Sequence, residues 1–332
     1  MKHVLVTGSA GFVGSHFVRH VLQKTDWKVT GLDSFRHRGD SLRITPDLDP
    51  NRYTIHTCDL AAPISHRLAD KIGPVDLIVN FASDSHVERS IEDPVPFVQN
   101  NVNLALHMLE YARKAKPKAF VQISTDEVYG AAPAGVNHSE WDKLLPSNPY
   151  SASKAAQEAL AIAYWRTYGV PVIISNTMNI FGEMQDREKF IPMVISRIAK
   201  GEPVTVHGSP GNIGSRFYLH ARNQADAILW ILQNQEPVLY EDGKADCLPL
   251  RFNVVGNIEM DNLEVAKTIA HLMGKPLQYK FEDFHMTRPG HDRRYSLDGS
   301  RLAKAGWKAP HSFEDSLKRT IEWTLAHTEW MK

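Results

Sequence analysis

Short runs of aliphatic and β-branched residues recur along the chain, and between them apolar positions return every three or four residues. The runs at residues 3–7, 28–32, 53–57, 75–79, 120–124 and 170–175 read as strands. The longer periodic stretches, from the glycines after residue 7 to about 23, from about 96 to 114 and from 150 to 168, read as helices with one apolar face. Strands alternating with helices of this length predict an α/β fold built on a doubly wound parallel Rossmann sheet. After about Asn176 the rhythm changes. A helix follows Glu188-Lys189-Phe190-Ile191-Pro192, a short strand lies near 204–206, and a glycine-rich loop covers 208–214. A helix near 223–233 and a strand at 251–255 return to the main sheet, and a further amphipathic helix spans about 262–273. Residues 1–176 with about 222–256 are therefore expected to form the Rossmann domain. Residues from about 177–221 with 257–332 are expected to form a smaller, discontinuous α/β lobe that closes over it and binds the substrate.

Composition narrows the function classes. The 332 residues suffice for one large domain or two smaller ones. Thirty-eight basic residues balance 38 acidic ones, so no global field draws the chain to nucleic acid or to an anionic membrane. No apolar run approaches the roughly 20 residues that span a bilayer. Two cysteines, Cys58 and Cys247, make neither a disulfide framework nor a zinc site and point to a reducing compartment. The histidines show no metal-ligand spacing, so no metal is expected. The chain opens directly on a strand, which leaves no room for a signal peptide. A soluble cytoplasmic protein is expected.

The first chemical signal follows the first strand. Gly8-Ser9-Ala10-Gly11-Phe12-Val13-Gly14 sits between strand and helix. The glycines permit a tight turn and a close approach to a pyrophosphate, and the helix start supplies N–H groups. Asp33 ends the next strand about 20 residues beyond, where an acid accepts from a ribose 2′-OH. That favours NAD over NADP, although Arg36 and Arg38 close behind could meet a 2′-phosphate. Asp59, at the end of the third strand, could reach the adenine amino group or cap a helix. Phe81-Ala82-Ser83 after the fourth strand is small enough to let a cofactor lie against the backbone, and the 96–114 helix carries Asn101.

The densest chemistry runs from Ser124 to Lys154. A strand ends at Ser124-Thr125-Asp126-Glu127-Val128-Tyr129-Gly130, the end of a parallel strand where ligands of open α/β sheets bind. Pro149-Tyr150-Ser151-Ala152-Ser153-Lys154 then opens a helix, with Tyr150 and Lys154 four apart on one face. An ammonium there can lower the pKa of a phenol by stabilising the phenolate. Later, Arg288-Pro289-Gly290-His291-Asp292-Arg293-Arg294-Tyr295 gathers arginines beside a turn, which suits a diphosphate.

Together these residues resemble the extended short-chain dehydrogenase/reductase superfamily over essentially the whole chain. The paired acids of Thr125-Asp126-Glu127-Val128-Tyr129-Gly130 resemble the nucleoside-diphosphate-sugar 4,6-dehydratases, whereas epimerases usually carry a serine-rich segment there. Ser85-His86-Val87-Glu88-Arg89-Ser90, the Glu188–Pro192 run and the Arg288–Tyr295 run further resemble the dTDP-glucose 4,6-dehydratases. The resemblance implies a tightly bound NAD, recycled each turnover, held by Gly8, Gly11, Phe12, Val13, Gly14, Asp33, Ser34, Asp59, Leu60, Phe81, Ala82, Ser83, Asn101, Tyr150 and Lys154. It implies a nucleotide-sugar held by Ser85, His86, Asn179, Glu188, Lys189, Arg216, Arg288 and His291.

Chemically, oxidation at C4 of the hexose makes its C5 proton acidic. Tyr150 would take the C4 hydroxyl proton as hydride passes to NAD, with Thr125 bonded to the C4 oxygen. A tyrosine pKa of about 10 must fall about 3 units, roughly 4 kcal/mol, for this to work at neutrality, through Lys154 and the cationic nicotinamide. Glu127 would take the C5 proton, Asp126 would protonate the departing C6 hydroxyl, and hydride would return to C6.

Three departures from the resembled pattern stand out. Arg216-Phe217-Tyr218-Leu219-His220-Ala221-Arg222-Asn223 replaces Arg-Asp-Trp-Leu-Tyr-Val-Glu-Asp, Asn179-Ile180-Phe181-Gly182 replaces Asn-Asn-Tyr-Gly, and Asn176 stands where an arginine is usual. All are expected in the substrate lobe, touching nucleotide or sugar preference. A nucleotide-sugar 4-epimerase or C4-oxidising decarboxylase shares Tyr150, Lys154 and NAD but needs no acid pair. A catalytically silent NAD-binding regulatory protein has no reason to hold all five groups. The 96–114 and 150–168 helices carry more apolar residues than one buried face needs, and in this superfamily such helices form a two-fold four-helix interface. A homodimer is expected.

Overall fold

Residues of the parallel strands must be apolar on both sides, because helices cover both faces. β1 (His3–Thr7) follows that rule, since Val4, Leu5 and Val6 are all fully buried. In the computed structural model, which describes residues 1–36, 39–44, 47–244, 247–283 and 290–331, β1 lies between β2 (Lys28–Asp33) and β4 (Leu77–Asn80), all parallel. β3 (Tyr53–Thr57) extends the sheet beyond β2, and β5 (Ala119–Thr125) and β6 (Val172–Thr177) extend it beyond β4. Strand alternation sorts the core into two layers. Val4, Val6, Val121 and Ile173 pack toward one face, and Leu5, Phe120, Val172 and Ile174 toward the other. Each such buried side chain contributes about 1.5–3 kcal/mol relative to exposure.

The crossover helices complete the layers. α1 (Phe12–Lys24) places Phe17, Val18 and Val21 in the first layer. After two short helices, α2 (His66–Ile72) and α3 (Val87–Glu92), α4 (Pro94–Ala115) and α5 (Pro149–Tyr168) pack against each other over the second layer, with Met108 and Trp165 inside. The edge nearest the chain's second half is closed late. Short strands β7 (Ile180–Phe181), β8 (Val204–Ser209), β9 (Asn212–Ile213), β10 (Ser215–Phe217) and β11 (Leu219–His220) precede α7 (Ala221–Asn234), which packs on α1. β12 (Leu250–Val254) then joins β6, giving a seven-stranded parallel sheet in the order β12-β6-β5-β4-β1-β2-β3. The expected doubly wound sheet is present.

A third core lies apart from these two. α6 (Phe190–Lys200), α8 (Asn262–Leu272) and the helix Phe313–Ala326 contribute Ile191, Val194, Ile195, Leu263, Ile269, Leu317 and Ile321 to it. β8 pairs with β14 (Tyr279–Glu282), and β10 with β13 (Glu259–Asp261). Leu302 and Trp307, far along the chain, pack instead into the sheet's first layer.

Several local expectations need correction. The glycine-rich 208–214 segment is a hairpin, with Gly208 paired to Ile213 and a Pro210-Gly211 turn whose glycine has φ +76°. The sixth strand starts at Val172, because Pro171 has no N–H to donate. β4 starts at Leu77, after Asp76 has turned its carboxylate to the His3 N–H at 2.9 Å. Among the described residues no helix is long and apolar enough to cross a membrane.

Gly130 closes the turn after β5 with φ +76°, and a Cβ there would sit 2.3 Å from the Leu145 carbonyl oxygen. Gly130→Ala therefore combines left-handed strain with a backbone clash, and should lower unfolding free energy by roughly 1–3 kcal/mol in a denaturant titration.

Candidate functional site

The carboxyl ends of the strands converge on a cleft of about 730 Å³ that runs from Gly8 to His291. Its floor at one end is the glycine turn. Gly8 has φ +64°, and a Cβ on it would sit 3.0 Å from the Ala82 amide nitrogen; one on Gly14 would sit 2.1 Å from the Gly8 carbonyl oxygen. Only glycine lets these segments touch. Gly11 caps α1 without a side-chain bond, so the first helical N–H groups have no side chain in front of them. This cradle fits a pyrophosphate. Phe12, Val13, Leu60, Phe81, Ala82 and Ser83 line the same end, as does Ser34.

Asp33 is buried and already structural. Its oxygens accept from the Ala10 N–H at 2.9 Å and the Phe35 N–H at 3.0 Å, which pins the glycine turn to β2 while the carboxylate still faces the cleft. Asp59 caps no helix, since α2 begins after Ser65. It accepts from Ala61 N–H at 2.9 Å and pairs with Arg36 at 2.9 Å. The Arg36 charge is thus neutralised at the place where a 2′-phosphate would need it, which agrees with NAD; Arg38 lies outside the described residues. Asn101 must be corrected. It lies fully buried behind the cleft wall, donating to the Asp84 carbonyl and Ser153 Oγ and accepting from the Asp84 N–H at 2.7 Å. Its neighbour Asn100 lines the cleft instead.

The reacting end lies between β5 and α5. Thr125 caps the short turn Asp126–Tyr129 by accepting from Glu127 N–H and donates to Asp126 Oδ1 at 2.8 Å. Asp126 is buried, and its Oδ2 has no hydrogen-bond partner. Burial first, then the neighbouring Glu127 charge, pushes its pKa up to about 7, so it holds its proton well above the usual carboxylate range. Burial also raises Glu127, but Asn148 Nδ2 donates to it at 3.3 Å, and His291, Arg216 and Lys189 hold its carboxylate charge in place. Two adjacent carboxyls therefore face one cleft with different tendencies to ionise. Asn148 also caps α5, with Pro149 in the first turn. The Asn-Pro pair was a readable start signal; its bond to Glu127 was not.

Tyr150 and Lys154 do share a face of α5 and line the cleft. The expected acidification of the phenol is not built into the protein. Burial, then the charges of Glu127 and Asp126, raise the Tyr150 pKa, and only the Thr125 hydrogen bond opposes them among the leading causes. The reason is where the ammonium points. Lys154 Nζ donates to the Ile123 carbonyl at 2.7 Å and to Gln157 Oε1 at 2.6 Å. Burial lowers its own pKa to about 8, with Glu158 working against that.

On the opposite side, Ser85, His86, Asn179, Glu188, Lys189, Arg216 and His291 all line the cleft, as expected; Arg288 lies outside the described residues. His86 bridges to Glu188 at 3.8 Å, and His291 to Glu88 at 3.5 Å, joining three chain segments around the opening. Arg216 stacks 4.5 Å from the Tyr295 ring and donates to the carbonyls of Asp292 and Arg293. Its guanidinium anchors the 290–295 segment as well as facing the cleft. Tyr218, Asn262 and Tyr295 also line it and were not anticipated. Asn176, expected in the substrate lobe, is instead fully buried on β6 beneath Thr125. Among the described residues no cluster of His, Cys, Asp or Glu could hold a metal.

Comparison with known proteins agrees with this geometry. The profile of the NAD dependent epimerase/dehydratase family matches residues 4–242. A dTDP-glucose 4,6-dehydratase of Escherichia coli is 34% identical over 353 residues, covering 99% of this chain and 94% of that protein. The low-salt glycan biosynthesis protein Agl12 of Haloferax volcanii is 36% identical, covering 98% and 99%. The crystal structure of DesIV, a dTDP-glucose 4,6-dehydratase of Streptomyces venezuelae with NAD bound, superposes with a TM-score of 0.87 at 32% identity and 99% coverage of both chains.

Folding raises the Asp126 pKa from 3.8 to about 7, so the folded chain keeps a proton that the unfolded chain has released in that interval. Stability from this group is full below pH 4 and is lost as pH rises through 7. Asp126→Asn should therefore melt above the unsubstituted protein at pH 8, with the gap closing toward pH 4. A gap that widens on acidification would contradict a buried neutral acid.

Proposed function

The chain belongs to the NAD dependent epimerase/dehydratase family, and within it we propose a nucleoside-diphosphate-sugar 4,6-dehydratase, with dTDP-glucose the first candidate substrate. The observation that carries this reading is the Asp126–Glu127 pair: a buried acid with an unpartnered oxygen beside a carboxylate held by Asn148. NAD, when bound, supplies a reversible hydride acceptor and a positive charge beside the phenol. Net loss of water is no overall oxidation, so one bound cofactor serves every turnover.

The protein's groups divide the proton work. Tyr150 takes the C4 hydroxyl proton, and Thr125, whose hydroxyl donates to Asp126 Oδ1, orients that oxygen. A C4 ketone makes the C5 proton removable, because the resulting carbanion is an enolate. Glu127 removes it. Asp126, protonated up to about pH 7, gives its proton to the C6 hydroxyl, which leaves as water. Lys189 and Arg216 bring positive charge to the substrate half of the cleft, which suits a diphosphate. The lobe around the third core would then hold the nucleotide, and the seven-stranded sheet the cofactor.

A homodimer fits the same reading. α4 and α5 lie side by side, with Val95 63% and Tyr168 49% exposed on them. A second copy would cover that pair as a four-helix interface. The free thiols Cys58 and Cys247 agree with a reducing compartment, the cytoplasm.

Purified protein without added NAD, offered dTDP-glucose, UDP-glucose, UDP-N-acetylglucosamine, GDP-mannose and CDP-glucose separately, should remove one water from one of them by mass spectrometry. Conversion to the galacto isomer without mass change would make it an epimerase. Asp126→Asn with Glu127→Gln should reduce water loss by about 1,000-fold while reduced-cofactor absorbance still reports oxidation at C4; an epimerase would be spared. Light scattering should give twice the chain mass, and a monomer would refute the dimer.

A further inference from the structure

Beneath the reacting groups lies a second, fully enclosed charge pair that the proposed chemistry does not use. Glu158 is 0% and Arg251 2% exposed, and they are joined by a short ion pair between α5 and β12. Asn176 on β6 closes a ring with them. Its Oδ1 accepts from Arg251 Nε at 2.9 Å, and its Nδ2 donates to Glu158 Oε1 at 2.7 Å. Charges this deep cost several kcal/mol each to desolvate, and hydrophobic replacements of such pairs are often as stable. A ring of this kind therefore calls for a reason other than stability.

Its outward contacts supply one. Asn176 Nδ2 also donates to the Thr125 carbonyl at 3.1 Å. The Arg251 guanidinium lies 5.3 Å from the Tyr129 ring and 5.0 Å from that of Trp141. Thr125 is the cap and Tyr129 the last residue of the turn that carries Asp126 and Glu127. The ring thus grips both ends of that turn. Glu158 sits one helical turn beyond Lys154, so the same ring is fastened to the helix that carries Tyr150 and Lys154. The charges that act on Tyr150 are those of Glu127 and Asp126 after β5 and Asp84 after β4, whereas Lys154 on the same helix answers to Glu158, itself paired with Arg251 on β12. Of these, Glu158 is the one whose charge supports the ammonium.

The geometry points to Glu158, Arg251 and Asn176 as positioning residues that lock the Asp126–Glu127 turn to the Tyr150–Lys154 helix. Oxidation at C4 and elimination across C5 and C6 act on one bound sugar, so the two halves must keep a fixed spacing. The ring ties them from beneath the cleft, while Asn148 joins Glu127 to the start of α5 from the cleft side. The inference rests on the dehydratase reading for its kinetic readout. Asn176 and Arg251 reach the same carboxylate from neighbouring parallel strands, so the guanidinium could also be delivered from position 176.

Glu158→Gln, Arg251→Lys and the exchange Asn176→Arg with Arg251→Asn test this, each checked for bound NAD and cooperative melting. A spacing error near 1 Å costs about 100-fold in rate. Each single variant should lose about that much in kcat with KM nearly unchanged, and the exchange should recover most of it. Glu158→Gln should also move the alkaline limb of the pH profile downward by about one unit, since Lys154 loses its supporting charge. Amide exchange over residues 126–130 should rise in both single variants and fall back in the exchange. Unchanged kcat, or a loss that only tracks the folded fraction with an unmoved pH limb, would overturn the positioning role. Should the unsubstituted protein dehydrate no donor, the dehydratase reading fails by itself, and unchanged amide exchange in the variants would then refute the ring separately.

Discussion

Everything in the site depends on keeping an ammonium charged inside the protein. Lys154 is 4% exposed, and burial takes its pKa from 10.5 to about 8, a penalty of about 3 kcal/mol. The charge survives because its donors are met by fixed acceptors, the Ile123 carbonyl and Gln157. Gln157 is itself held by Gln122 at 3.1 Å and by the Asn101 carbonyl at 2.7 Å. Gln122 continues to Asn80, and Asn80 to Thr7, which accepts from the Ala82 N–H beside the glycine turn. A line of buried amides and hydroxyls therefore runs under the strand ends from the catalytic helix to the pyrophosphate cradle. Each member is costly if its neighbour is lost.

That line also explains a tension in the chemistry. The two carboxyls that the proposed reaction uses to eliminate water raise, after burial, the pKa of the phenol that would start it. Among the described residues nothing cancels this outright, because Lys154 is directed at Ile123 and Gln157. The site is consistent with a phenol that ionises only when cofactor and substrate supply the remaining positive charge and hydrogen bonds. Such coupling would keep the proposed base inactive until the cleft is filled.

The strands, the glycine turn and the five candidate groups were legible in the sequence because each is a local pattern. Periodicity gave the layers, and Thr125, Asp126, Glu127, Tyr150 and Lys154 do meet in one cleft. What escaped depends on helix phase or on distance along the chain. Asn100 and Asn101 are separated by about 100° on α4, and no local signal says which one faces the cofactor side. Glu127 and Asn148 meet across 21 residues, Glu158 and Arg251 across 93. Asn176 was assigned to substrate choice on pattern alone, yet its strand position buries it. The hairpin at 208–213 was readable from Pro210-Gly211 and was missed because glycines on both sides suggested an open loop.

Fold and specificity thus draw on different parts of the chain. The sheet is built from contiguous units and fixes the reacting atoms through buried, satisfied polar groups. The opposite wall is assembled from segments near residues 86, 188, 216 and 291, joined by His–carboxylate pairs and by Arg216 on backbone carbonyls. Half-exposed bridges of this kind are each worth little, and they can rearrange around a bound molecule at small cost. Under the proposed function, that wall is the part that would select nucleotide and sugar. Changing the reaction requires altering groups tied into the line beneath Lys154, where one lost partner strands the next. Of the departures from the family pattern, Asn179, Ile180 and Phe181 line the cleft, whereas within 217–223 Tyr218 alone does so, and the acid pair, phenol and ammonium stand on the sheet side.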